Sequence, residues 1–296
     1  MFWFQLSLTQ KQNHKLAKKK TTAKRTKKNK GTSLTKLVMF SVLALFIVVI
    51  GIVAYQYKDG ILYYLSYKSK HSKSLSKEER HINDIRIFEV LTTYKNKTIG
   101  IDVSQYQDKI NWNETKKIND SFAIDFVIIR STAGKDKVDQ QFENNWKNTK
   151  GKYIRGAYHY YRPNENSLLQ AENFIKTVKL SKGDLAPILD IEKLPKTQSI
   201  DSLKVGLRRW LTKIEKHYKV KPIIYSGESY YNDFLKDEFS DYTFWIANYN
   251  FWRKEMDDDW LLWQFTEKAQ VNGIEGMVDV NVFDGIKLEL IDKCVK

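Results

Sequence analysis

Two carboxylates separated by one residue, Asp190 and Glu192, close the apolar run Pro187-Ile188-Leu189-Asp190-Ile191-Glu192. Residues two apart on a strand face the same side, so both acids are expected to leave the strand together. Single acids hold similar places in Gly100-Ile101-Asp102-Val103-Ser104 and in Val278-Asp279-Val280-Asn281. One strand-end acid is most often a helix cap or a partner for a surface lysine. Four on three strands suit acid/base chemistry in one pocket. Tyr106, Tyr158, Tyr160, Tyr225, Trp245, Tyr249 and Trp263 lie at or near strand ends. Each alone can be core or rim packing. Beside the acids they suit a carbohydrate, whose C–H faces stack on rings while its hydroxyls bond carboxylates. Hydrolysis of a sugar chain is the reaction these residue types favour.

The elements that must position them read as eight strands: Thr98–Val103, Phe126–Ser131, Tyr153–Tyr160, Leu185–Ile191, Pro222–Tyr225, Phe244–Ala247, Leu261–Phe265 and Val278–Phe283. Several are nearly continuous in apolar residues, as strands buried on both faces should be. Helical patterns lie between several of them. Ser199–Tyr218 carries apolar residues at 200, 203, 207, 210, 211, 214 and 218, one stripe at three- and four-residue spacing. Leu168–Leu180 repeats the pattern, and 139–150 does so more weakly. The last three strands are joined by segments too short for full helices. This order predicts an α/β fold, an irregular TIM-like (β/α) barrel with eight strands and incomplete helices in its second half. In such a barrel the site lies at the C-terminal ends of the strands. An open doubly wound sheet is the alternative, but no glycine-rich phosphate loop supports one.

The 296 residues carry a formal charge of +15, unevenly spread. Residues 1–36 hold eleven Lys/Arg and no Asp or Glu, so the rest of the chain is only mildly basic and gives no reason to expect nucleic-acid binding. Residues 37–55 contain no charge. As a helix, nineteen residues would span about 28 Å, close to a bilayer core. The run is longer than a signal-peptide core and ends in a poor cleavage site, which favours an uncleaved anchor. The positive-inside rule then keeps the N-terminus in the cytoplasm. The expected organisation is a basic cytoplasmic tail over 1–36, a single transmembrane helix over 37–55 and a juxtamembrane stalk over 56–97. A catalytic domain over 98–292 and a short tail over 293–296 follow, with the domain on the extracytoplasmic or periplasmic side. Tyr57 to Tyr67 would lie at the interface, Lys68 to Lys77 would be a spacer, and 78–94 could form a short helix. The lone Cys294 reads as incidental. The five histidines show no ligand spacing, so no metal or cofactor is expected.

The segment Gly100-Ile101-Asp102-Val103-Ser104-Gln105-Tyr106-Gln107 resembles the opening of the family 25 glycoside hydrolases, the Chalaropsis-type lysozymes. Ile129-Arg130-Ser131-Thr132, Gly156-Ala157-Tyr158-His159-Tyr160-Tyr161-Arg162-Pro163 and Leu189-Asp190-Ile191-Glu192 continue the likeness. So do Ile224-Tyr225-Ser226-Gly227, Trp245-Ile246-Ala247-Asn248-Tyr249, Trp263-Gln264-Phe265 and the run from Val278 to Gly285. These pieces occur in the family's order over about residues 98–290. The resemblance implies an N-acetylmuramidase that cuts the β-1,4 bond from N-acetylmuramic acid to N-acetylglucosamine in peptidoglycan. It implies retention of configuration, with the substrate's N-acetyl oxygen as a proposed participant. By position Glu192 matches the general acid, while Asp102, Asp190 and Asp279 match acids lining the site. Tyr161 departs from the family's common alanine, and the basic tail and anchor are unusual.

Glycoside cleavage needs a proton at the leaving oxygen and negative charge around the oxocarbenium ion. Neighbouring carboxylates are expected to raise the pKa of Glu192 so that it keeps its proton. Asp190 would orient the N-acetyl group, and Asp102 and Asp279 would hold the sugar. The partners expected are peptidoglycan glycan strands and, through 37–55, a lipid bilayer. The anchor favours a tethered enzyme acting on the cell's own wall. Another β-1,4 N-acetylhexosaminide hydrolase such as a chitinase, or a non-catalytic wall-binding module, are the competing readings.

Overall fold

The computed structural model describes residues 34–56 and 76–296. Most of the basic tail, the aromatic stretch 57–67 and nearly all of the spacer lie outside the described residues. Helix α1 (Leu34–Gln56) covers the uncharged run. Among the described residues no helix is long and apolar enough to cross a membrane. The side chains described in α1 run unbroken only over residues 38–51, and every large apolar one among them is exposed, from Val38 and Phe40 to Val49 and Ile50. The uncharged run extends past them at both ends.

Eight strands close into a barrel: β1 (Thr98–Val103), β2 (Phe126–Ala133), β3 (Ile154–Tyr160), β4 (Ile188–Asp190), β5 (Ile223–Gly227), β6 (Thr243–Ala247), β7 (Trp260–Ala269) and β8 (Val278–Phe283). From β1 to β7 each strand is parallel to the next. The barrel is mixed, however, because β8 runs antiparallel to both β7 and β1. Its reversal follows from the short link 270–277, which has no room for the crossover helix that a parallel strand requires. The predicted strands survive with trimmed ends, β4 most of all.

Buried side chains of successive strand residues fall into two clusters. One joins Ile101, Val127, Ile129, Ala157, Leu189, Ile224 and Ile246 to helical residues such as Leu207 and Trp210. The other holds Phe126, Ile128, Ile188, Ile223, Tyr225, Trp245 and Leu262, and it is the barrel interior. Period-two alternation thus sends one set under the helices and the other inward. Gly100 is required inside: a Cβ there would lie 2.4 Å from the Phe126 ring.

Helix α2 (Lys77–Thr93) opens with a capping box at Ser76 and Glu79. It is no part of a stalk: Ile87, Val90 and Leu91, with Tyr94 just beyond, belong to the main core. The expected domain start at 98 therefore moves back to this helix. Helices α3 (Phe142–Thr149), α4 (Ser167–Thr177) and α5 (Ile200–Tyr218) follow β2, β3 and β4. Asn166 caps α4 and Ser199 caps α5, each accepting from the first-turn amides that a helix leaves unpaired. After β5 come only short helical turns over residues 228–235, and after β6 and β7 no helix at all.

The floor of the barrel is sealed by the chain's end. Past α6 (Lys287–Ile291), the backbone of Ala186 donates to Lys293, Gly183 to Val295 and Val295 to Asp184. Cys294 is 2% exposed in the interior cluster, and burial pushes its thiol up to about 12. The expected tail over 293–296 is thus a structural plug, and Cys294 is part of it.

Candidate active site

The strand ends bring the acids to one rim. Asp102 is the fifth residue of β1 and pairs across to Asp279 on β8. Asp279 was expected at the C-terminal end of its strand. It is instead the second residue of a reversed strand, and reaches the same rim for that reason. Asp190 ends β4 between Tyr160 of β3 and Tyr225 of β5. Glu192 lies two residues past the strand and is half-buried. Its approach is fixed because Ile191 N donates to the Tyr225 carbonyl (3.0 Å) and Ser226 Oγ donates to the Ile191 carbonyl (2.6 Å).

Asp102 sits at the centre of a hydrogen-bond relay. Its Oδ2 accepts from Gln264 Nε2 (2.7 Å) and from Asn281 Nδ2 (2.8 Å). Tyr225 donates its hydroxyl to Gln264 Oε1 (2.7 Å), and Tyr249 donates to the same oxygen. Trp245 Nε1 donates to Asn281 Oδ1 (2.8 Å). Each amide thus has its oxygen satisfied by an aromatic donor and turns its NH₂ to the carboxylate, which settles which way both amides point. Tyr225 and Trp245 pack at 4.4 Å between ring centroids, and Tyr158 meets Trp245 edge-on at 6.5 Å.

Asp190 is the electrostatic opposite. It is only 5% exposed, and its Oδ1 has no hydrogen-bond partner among the described residues. Burial, then the charge of Glu192, holds its carboxyl well above the usual range; Asp102 adds to this and Arg130 opposes it. The Tyr158 phenol is likewise held well above its ordinary value, first by burial and then by Asp102, Asp190 and Asp279, with Arg130 again opposing. It stays a neutral donor among acids. Tyr158 thus senses three of the carboxylates, and Asp190 beside it senses the fourth.

The aromatic expectations divide. Tyr158, Tyr160 and Tyr249 are half-buried at the rim. Tyr106 is the open one, 76% exposed, with the Arg130 guanidinium 4.6 Å above its ring. Tyr225 and Trp245 are buried and hold the amide relay from below rather than offering a free stacking face. Trp263 is not in the site. It is wholly buried in the outer core, edge-on to Tyr94 at 6.4 Å, with Nε1 donating to the Asn248 carbonyl. Alternation along β7 explains the error: Trp263 faces out because Gln264 faces in.

Sequence reasoning missed Gln264, Asn281 and Arg130. Gln264 and Asn281 each stand between two apolar residues and Arg130 directly follows four, and that was the available signal. Arg130 Nε bonds Asp139 (2.8 Å), which also accepts from Gln105 N (2.9 Å) and so fixes the loop carrying Tyr106. His159, next to Tyr158, takes no part. It lies in the outer layer between Thr132 and Gln170, stacked on Trp210, and burial brings it down to about 4. A groove of about 630 Å³ lined by Lys204, Arg208 and Arg209 contains none of the four acids.

Comparison with known proteins agrees with this fold. The Escherichia coli (strain K12) "Uncharacterized protein YegX" is 39% identical over 196 residues, covering 64% of this chain and 71% of that protein. "Lysozyme M1" of Streptomyces globisporus is 31% identical over 208 residues, covering 65% of this chain and 69% of the enzyme. The solved structure of a family 25 glycosyl hydrolase from Bacillus anthracis superposes with a TM-score of 0.60 at 29% identity, over 68% of this chain and 94% of that one. The profile of the glycosyl hydrolases family 25 matches residues 101–274, more than half of the chain, from β1 through β7. The chain belongs to the family 25 glycosyl hydrolases.

Proposed function

We propose that the chain is a muramidase that cleaves the β-1,4 bond between N-acetylmuramic acid and N-acetylglucosamine in peptidoglycan with retention of configuration. The observation that carries this reading is the buried, raised carboxyl of Asp190 beside Glu192. A buried carboxyl held up beside a second acid favours keeping one proton between the two. Substrate binding leaves that proton on Glu192, which gives it to the glycosidic oxygen as the bond from C1 breaks. The acetamido oxygen of the muramic acid closes on C1, and ionised Asp190 accepts the acetamido N–H and holds the group in line. Water then attacks C1 and gives its proton to the Glu192 carboxylate, the bond to the acetamido oxygen breaks, and two inversions retain the configuration. Asp102, held by two amides, and Asp279 bind the sugar and add negative field around the developing cation. The name of the Streptomyces relative supports the same reaction.

The enzyme works tethered to the outer face of the cytoplasmic membrane. The uncharged run 37–55, the eleven basic residues before it and the exposed apolar side chains of α1 support this placement. Its substrate is then the adjoining wall, and its role remodelling. Digestion of purified peptidoglycan by the full chain in detergent, with mass spectrometry of the fragments, tests the activity. New reducing ends on muramic acid support it; ends on N-acetylglucosamine point to another hexosaminidase. Sedimentation with uncut wall points to a binding module. Release of the chain from membranes by alkaline carbonate would sink the anchor.

A further inference from the structure

Helix α2 makes three polar contacts with a single loop of the catalytic face, the segment that follows β6. Arg86 Nη1 donates to the carbonyl of Tyr249 at 2.7 Å. Glu89 meets Lys254 at 3.4 Å. Tyr94, just past the helix, accepts from the N–H of Met256 at 3.0 Å. Both ends of the loop 249–256 are therefore tied to the same helix. Tyr249 in turn reaches Gln264, which donates to Asp102. The same loop exposes Phe251 and Trp252, the latter 81% open to solvent.

Arg86 is an expensive way to build a helix contact. It is 6% exposed, and its Nε and Nη2 have no hydrogen-bond partner among the described residues. Burial brings its guanidinium down to about 10, which still leaves it charged at neutral pH. A buried cation with unsatisfied donors is worse for stability than an apolar side chain of similar volume. Simple packing of α2 gives no reason for it. The family match begins at residue 101, after α2 has ended, so nothing in the matched segment assigns this residue a role.

We propose that Arg86 is a positioning residue for the hydrolysis: α2 fixes the main chain at Tyr249, and through it the hydroxyl that holds Gln264 against Asp102. Arg86 touches no substrate. The inference rests on the muramidase reading for its kinetic consequences and on the loop itself for its structural ones.

The test is a cycle on the full chain in detergent: wild type, Arg86→Met, Tyr249→Phe and the double variant, with Arg86→Lys as the conservative change. Arg86→Met should lower kcat on peptidoglycan about tenfold per folded molecule while KM moves less than about twofold, because the relay is displaced rather than the sugar contacts removed. Arg86→Lys should recover part of the loss. The double variant should be no slower than Tyr249→Phe alone. Hydrogen exchange of the 249–256 amides, which needs no activity, should quicken in Arg86→Met while 270–277 is unchanged. Losses that multiply, an unchanged kcat, or unchanged exchange would each overturn the proposal. If Arg86→Met does not fold, Arg86→Gln takes its place in the cycle with the same criteria. A folded wild type that leaves peptidoglycan uncut defeats the muramidase reading instead, and the exchange result still decides for or against the clamp.

Discussion

Asp184 lies four residues before β4 and Asp190 ends it, and each is 5% exposed. Their surroundings could hardly differ more. Asp184, at the barrel floor, takes both oxygens to Arg155, at 2.6 and 3.0 Å, and Arg155 also lies 3.8 Å over the Trp146 ring. Asp190, at the rim, leaves Oδ1 without a partner and faces other acids. Burial alone therefore says nothing about what a carboxylate is for. The floor pairs its carboxylate with an arginine and gains rigidity; the rim sets Asp190 among other acids, with Arg130 only partly opposing them, and gains reactivity.

The largest effect that would break this contrast is catalytic. Glu192→Gln should lower kcat on purified peptidoglycan by about 10³-fold, in the range expected for losing a positioned acid, and Asp190→Asn by about 10²-fold or more. Reducing-end release measures both, and near-wild-type turnover in the Glu192 variant would remove its assignment. Next is stability at the floor. Asp184→Asn leaves Arg155 buried and uncompensated and should cost about 3–5 kcal/mol in urea unfolding, with turnover per folded molecule unchanged.

Asp190→Asn should do the reverse. A carboxyl whose folded pKa lies above its unfolded value destabilises the native state at neutral pH, where the unfolded chain is ionised. Removing the charge should raise the melting temperature by a few degrees while activity falls. A lower melting temperature would mean that the rim is not strained. His159 sharpens the comparison between layers, because its folded value of about 4 lies below the unfolded one. Its stabilisation is complete above about pH 6.5 and lost as pH falls toward 4. Between pH 6.5 and 5 wild type should lose roughly 1.5 kcal/mol more than His159→Gln does. The smallest expected effect belongs to Tyr106→Ala, whose ring–guanidinium contact is worth about 0.5–1 kcal/mol; a change confined to KM would mark Tyr106 as a sugar contact.

Much of this was legible in advance because acids are scarce in apolar strands. Asp102, Asp190 and Asp279 stood out, and the helix over 200–218 announced itself by its stripe. Three things were hidden for physical reasons. The direction of β8 depends on the length of the link before it, not on residues within the strand. Trp263 and Gln264 are adjacent on a strand buried on both faces, so burial does not tell them apart, and only the polarity of Gln264 hints at which one looks inward. Helix α2 carries apolar residues on more than one face, with Ile82, Ile85 and Phe88 exposed, and only the packed core shows that Arg86, Ile87, Val90 and Leu91 are the buried ones. The carboxyl found raised, that of Asp190, depends on desolvation that no spacing rule supplies.

The reversed last strand also sets a time order. β1 pairs with β8, and Thr98 Oγ1 bonds the carbonyl of Gly285, 187 residues further along the chain. Contacts between such distant residues form late, after the intervening chain has been delivered and collapsed. Asp279 is on that strand, and so is Asn281, which holds Asp102. A nascent chain therefore carries every earlier acid without a working site. Docking of β8 against β1 is the step that brings Asp279 and Asn281 beside Asp102.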